Sequence, residues 1–227
     1  MIRNPGRTAG LLYGAGSVPG FFALLYVPSK VMVHGNPTAT AHNIAAHEAL
    51  FRWGIVADLA GQAFFILVAL ALYYLLKAVH RKVSLLMLVL LLVSIPIAFL
   101  NELNSVAALL MAQGAGPLSA LDESQRVVWM RLFLNLRGAG FDVAGIFWGL
   151  WLFPLGWLVY RSGFIPRILG VLLMLGCFAY LANSIASLAL PQFADVVARW
   201  ANPVQLVEMV FMLWLLIMGA IPKPSTE

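Results

Sequence analysis

Apolar residues gather in about six blocks, each long enough to cross ~30 Å of hydrocarbon at ~20 residues per crossing. The blocks fall near residues 8–33, 53–78, 83–112, 138–160, 165–190 and 203–221. None shows the recurring ten-residue alternation of apolar and polar positions that marks the strands of a membrane barrel. The pattern therefore predicts an all-α, polytopic membrane protein with about six transmembrane helices in one domain, residues 1–227. Between the blocks, Gly35, Asn36 and Pro37 mark a loop within 34–52, followed by a helical lead-in to the second span. Residues 113–125, rich in Gly, Ser and Pro, read as a second loop. Residues 126–137 read either as an interfacial helix or as an extension of the fourth span. Pro19, Pro96 and Pro154 fall inside spans, where each removes a backbone hydrogen bond and favours a kink. Pro166 is placed to open the fifth span.

Polar residues inside the blocks are the next signal. Asp58, Glu102, Asp142 and Glu208 lie in apolar surroundings, where a carboxylate costs at least ~2.5 kcal/mol and needs local compensation. Helical spacing groups them with other polar side chains. Asp58 and Gln62 share a face; Asn101, Asn104 and Ser105 share another, with Glu102 beside it. Arg131, Asn135, Gly138 and Asp142 form one stripe, which Gly145 and Gly149 continue as a surface suited to close helix packing. Tyr180, Asn183 and Ser187 align, as do Gln205 and Glu208. Asp58, Asp142 and Glu208 sit roughly 6–9 Å inside the same ends of their spans, at ~1.5 Å per residue. The layer suggests a polar cavity in one half of the membrane. Snorkelling side chains and simple helix-pairing amides are the competing explanation.

Charge fixes the expected orientation. Threading the six spans puts Arg3, Arg7, Lys77, Arg81, Lys82, Arg161, Arg167 and Lys223 on one side, opposed there by Glu227 alone. The other side receives Lys30, Arg52, Arg126, Arg131, Arg137 and Arg199 together with the remaining acids. The positive-inside rule places both termini in the cytoplasm and the polar layer in the periplasmic half. At 62% hydrophobic and 10% charged residues, the composition belongs to a multi-span membrane protein, not to a soluble domain. Its basic excess reads as topology, and no basic, aromatic-studded polar run points to nucleic acid.

Several chemistries find little in the residue pattern. Cys177 is the single cysteine, so no intrachain disulfide or thiolate cluster can form. His34, His42 and His47 lie on the outer side near Glu48, but His42 and His47 are five apart and form no one-face pair. No metal and no cofactor is expected. An acid pair such as Glu102 with Asp142 would suit general acid/base work if burial separated their ionisation. Ser105, Ser184 and Ser187 have no histidine on their own spans, and no nucleophile elbow is present. Glu48 and Arg52 form an i, i+4 pair fit for a helix support or for the rim or gate of a cavity. Asp58 has Arg52 as a candidate counter-charge, and Asp142 has Arg131 or Arg137.

Four stretches carry a resemblance. They are Arg7-Thr-Ala-Gly-Leu-Leu-Tyr13, Glu48-Ala-Leu-Phe-Arg-Trp-Gly-Ile-Val-Ala-Asp58, Asn101-Glu-Leu-Asn104, and the run from Phe147 through Leu152-Phe-Pro-Leu-Gly-Trp157 to Gly170. Across nearly the whole chain they resemble a family of small bacterial multi-pass membrane proteins catalogued only as a domain of unknown function. The resemblance implies a bacterial inner-membrane protein of about six helices and supplies no catalytic residue or substrate.

The expected function is the binding of a small polar or amphipathic ligand in the periplasmic half, by a transporter-like or sensor-like module within the lipid bilayer. Asp58, Glu102, Asp142 and Glu208 would accept hydrogen bonds or protons, and Arg131 would offset charge or hold an anionic group. Gln62, Asn101, Asn104, Asn135 and Asn183 would orient the ligand. The alternatives are a membrane-embedded enzyme acting on a lipid headgroup, and a structural subunit without a ligand.

Overall fold

The computed structural model describes residues 4–221. Arg3, Lys223 and Glu227 of the charge pattern lie outside the described residues. Helices dominate, and no strand occurs among the described residues. In chain order they are α1 (Pro5–Phe21), a π-helical turn Phe22–Tyr26, α2 (Val27–Val31), α3 (Pro37–Ala46), α4 (Glu48–Leu76), α5 (Arg81–Gln113), α6 (Glu123–Ser162), α7 (Arg167–Ala189), α8 (Ala194–Gln205) and α9 (Val207–Met218). Six helical stretches are long and apolar enough to cross a membrane: Pro5–Val31, Glu48–Leu76, Arg81–Gln113, Glu123–Ser162, Arg167–Ala189 and Pro191–Met218. Leu11, Leu100, Leu103, Ile168 and Ile217 are among the large apolar side chains left exposed, as lipid-facing positions require.

The punctuation between helices has local causes. Pro28 has no N–H and its ring crowds the carbonyl one turn back. The chain answers with the π-turn just before it, in which the Val27 N–H reaches the Phe22 carbonyl. Asn36 caps α3, its side chain accepting from the Ala39 N–H at 3.0 Å, and Pro37 follows at the first helical position. A reciprocal box starts α6: Asp122 Oδ1 accepts from the Gln125 N–H at 2.8 Å, and Gln125 Oε1 accepts from the Asp122 N–H at 3.2 Å. Residues 126–137 therefore extend the fourth span. With 40 residues, α6 is roughly 60 Å long.

The chain forms two compact units: Met1–Gly16, Ala63–Pro96 and Asp142–Glu227 make up unit 1, and Ser17–Gln62 with Ile97–Phe141 make up unit 2. Unit 1 has a large core that includes Leu72, Leu76, Met87, Trp151, Leu155 and Phe211, each essentially inaccessible. Small residues let its helices close up. A methyl group on Gly149 would stand 2.9 Å from Tyr180 Cβ and 3.0 Å from the Cys177 carbonyl, so the glycine stripe predicted on this helix does serve close packing. Asn4 Oδ1 accepts from the Arg7 and Ala220 N–H groups, tying the start of α1 to the end of α9. Unit 2 has its own smaller core around Val27, Val31, Ile44, Phe51, Leu109 and Met130.

Candidate functional site

Within unit 2 one guanidinium gathers two carboxylates from different helices. Arg137 on α6 donates Nη2 to Asp58 Oδ2 on α4 at 3.0 Å, and Nε to Glu102 Oε1 on α5 at 3.1 Å. Nη2 also stands 3.0 Å from Glu102 Oε1. The acid side chains are each only 5% exposed, and the arginine 20%. Such pairs persist away from water when geometry is good and further hydrogen bonds fill the remaining positions. Neighbouring side chains supply that support. The guanidinium lies 4.7 Å from the Phe141 ring centre, over its face. Asn101 Nδ2 donates to the Arg137 carbonyl at 2.9 Å, and Asn104 Nδ2 donates to Asn101 Oδ1 at 3.1 Å. Of the residues expected to line a site, Asp58, Asn101, Glu102 and Asn104 thus converge.

The arrangement leaves capacity unused. Glu102 Oε2 and Ser105 Oγ are both buried and have no hydrogen-bond partner among the described residues. Ser105 and Asp58 both stand beside the Glu102 carboxyl group. Buried polar atoms are paired in the great majority of cases, so two orphans side by side are informative. Both residues line a cavity of about 50 Å³, together with Arg137 and the apolar Ala23, Val27, Val31, Phe51 and Leu134. The π-turn and α2 form one wall of it, and Gly54 on α4 meets Val27 there. The space holds roughly three to five water-sized groups, at ~10–15 Å³ each.

Arg131 and Asn135 are exposed and line a different hollow of about 180 Å³ beside Asn36, Pro37 and Thr40, in the same unit. Gln62 is half-buried in unit 2, and Asp142 and Asn183 are half-buried in unit 1. The proposed rim pair forms, with Arg52 Nε donating to Glu48 Oε1 at 2.7 Å; both ends are solvent-facing. Asp58 therefore takes its counter-charge from Arg137 and not from Arg52. On the outer histidines, His42 Nε2 lies 2.6 Å from Glu123 Oε1, and His47 Nδ1 contacts the Asn43 carbonyl at 3.0 Å.

In unit 1, Glu208 is met by tyrosines. Tyr13 donates its hydroxyl to Glu208 Oε2 at 2.5 Å, and the Tyr180 hydroxyl bonds the same carboxyl group. Tyr13 also meets Phe65 edge to face, with centres 5.4 Å apart. The carboxyl is compensated by neutral donors here, and no ion pair to it forms among the described residues.

Residue spacing groups Ser105 with Asn101 and Asn104 but passes over Tyr13, and it offers Arg137 to Asp142 and not to Asp58 and Glu102. Arg137 falls off the Arg131–Asn135–Asp142 stripe, and its partners come from other helices. One usable signal was the need of two intramembrane acids for a base at matching depth.

Residues 8–219 match the family model described as Domain of unknown function (DUF4386). Over 78 residues the chain is 32% identical to an uncharacterized protein of Archaeoglobus fulgidus. The aligned stretch is 34% of this chain and 45% of the relative, so it spans less than half of that protein's length. No solved structure matches the chain.

Proposed function

Since the chain belongs to the DUF4386 family, whose description names no activity, we propose from its own residues that it binds a small amphipathic ligand in the unit 2 cavity. The carrying observation is the pair of orphaned, buried atoms, Glu102 Oε2 and Ser105 Oγ, at the polar end of an otherwise apolar pocket. Sites for small molecules combine apolar walls with a few placed polar groups in this way. The polar end of the ligand meets Glu102 and Ser105, and its apolar part lies against Ala23, Val27 and Val31. Arg137 and Asp58 hold Glu102 in position, and Asn101 and Asn104 fix the backbone that carries Arg137. A transporter-like or sensor-like role follows from a reversible site in a multi-span protein. The basic bias of one set of loops supports an inner-membrane setting with both termini cytoplasmic and the cavity toward the periplasm.

Cysteine accessibility tests this reading. Cys177 is the native thiol and is buried, so Cys177→Ala gives a silent background for Ser105→Cys. A small cationic methanethiosulfonate applied to intact cells is expected to label that cysteine. Ala23→Phe, which fills the cavity, is expected to block the reaction. A cysteine that stays unreactive from both membrane faces, yet reacts after denaturation, would remove the cavity from consideration. Reaction from the cytoplasmic face alone would overturn the orientation.

The structural alternative has its own observation in unit 1, where two tyrosine hydroxyls already serve Glu208. That cluster needs no ligand, and we assign it to helix pairing.

A further inference from the structure

Resting on the cavity reading above, the geometry points to a primary ammonium group, carried on a short apolar tail, as the polar end of the ligand. Charge balance comes first. Asp58, Glu102 and Arg137 bring two carboxylates to one guanidinium, so the ionised cluster lacks one positive charge. A net charge in a buried, weakly polar setting is costly, and an added cation offsets it. Donor count comes next. The orphaned atoms are a carboxylate oxygen, which accepts only, and a hydroxyl oxygen, which can accept. Both are served by a group rich in N–H donors, and an ammonium carries three. An anionic end would meet the uncompensated Glu102 oxygen, and a hydroxyl end would leave the charge deficit in place. Size agrees as well: room for roughly three to five water-sized groups admits an ammonium and its first carbons, with the tail continuing along apolar wall. A quaternary ammonium offers no N–H donors and is the wrong chemistry for these atoms.

The test compares hexylammonium, hexanol and hexanoate, which share a tail and differ in head. Binding is read from thermal unfolding midpoints of the protein in nanodiscs of zwitterionic phospholipid at neutral pH. The same titration on Ala23→Phe subtracts partition into the lipid. Hexylammonium is expected to bind about tenfold tighter than hexanol, the gain of one charge-assisted contact, with hexanoate weakest. Glu102→Gln keeps the shape of the side chain and is expected to erase that preference while hexanol binding persists. Ser105→Ala is expected to weaken hexylammonium by a smaller factor. Equal binding of the three heads, all blocked by Ala23→Phe, would overturn the ammonium assignment and leave the cavity reading intact. A preference for hexanoate would likewise overturn it and make Arg137 the anchor. If Glu102→Gln leaves the ammonium preference unchanged, a proton already satisfies the carboxylate and the assignment fails. Identical titrations of wild type and Ala23→Phe with every compound would overturn the cavity reading itself.

Discussion

Asn101 on α5 holds the backbone of Arg137 on α6, its Nδ2 donating to the arginine carbonyl at 2.9 Å. The residue that carries the bridging guanidinium is thereby fixed from the neighbouring helix. Gly140 makes the approach possible, because a methyl group there would overlap the Asn101 carboxamide. Gly140→Ala is expected to destabilise the protein by about 1–3 kcal/mol, the usual range for forced overpacking. Gly138 faces open space, so Gly138→Ala should be neutral or stabilise by up to about 1 kcal/mol through helix propensity. Thermal unfolding of both variants in the same detergent checks the contrast, and equal effects would show that the Asn101 clamp is not tight.

Arg137→Met leaves Asp58 and Glu102 buried without their shared counter-charge. Breaking one member of such a group costs about 3–5 kcal/mol, while replacing all members by apolar side chains is often neutral or stabilising. The single variant should therefore unfold far more readily than the triple variant Asp58→Leu, Glu102→Leu, Arg137→Met. Midpoints measured side by side test this, and a triple variant no better than the single one would contradict it.

Tyr13→Phe removes one of two hydroxyls from Glu208. The expected loss is about 1 kcal/mol, between the ~0.6 average for intramembrane hydrogen bonds and the ~1.5–3 for bonds to charged groups. A cycle with Tyr180→Phe should be non-additive, because both hydroxyls serve one carboxyl group. Additive losses would mean that the two tyrosines act independently.

Asp122, the cap of α6, lies outside the spans. The Gln125 backbone N–H, followed by the Ser124 hydroxyl, holds the Asp122 carboxyl below its ordinary range. A carboxyl whose ionisation is eased on folding contributes stability above its unfolded pKa and loses it as pH falls through the folded value. Protection against hydrogen exchange at the start of α6, taken relative to the intrinsic amide rate at each pH, should therefore fall on acidification below the ordinary carboxylate range. In Asp122→Asn, which caps without titrating, this acid limb should vanish. Persistence of the limb in that variant would assign it to another group.

These features differ in how far the residue pattern reveals them. All six apolar blocks correspond to helical stretches able to span, because continuous apolarity leaves a chain in lipid few alternatives. The start of the fourth is less legible: α6 begins at Glu123 and not near 138, since the Asp122–Gln125 box sets the helix going before the apolar block begins. The π-turn before Pro28 is a response to crowding and has no simple sequence sign. Within the polar layer, Asp58 and Glu102 stand out as acids that need compensation. Their common partner does not, because the Asp58–Arg137 contact joins residues 79 positions apart. Arg52, six residues from Asp58, is turned away on the helix, and Glu48 at i−4 takes it instead.

A high-resolution structure of the protein in a lipid nanodisc addresses the central claim most directly. Ligand binding in unit 2 predicts non-protein density within hydrogen-bond distance of both Glu102 Oε2 and Ser105 Oγ, continuing along Ala23 and Val27. A cavity closed by side chains, with that carboxylate oxygen bonded to protein alone, would contradict it.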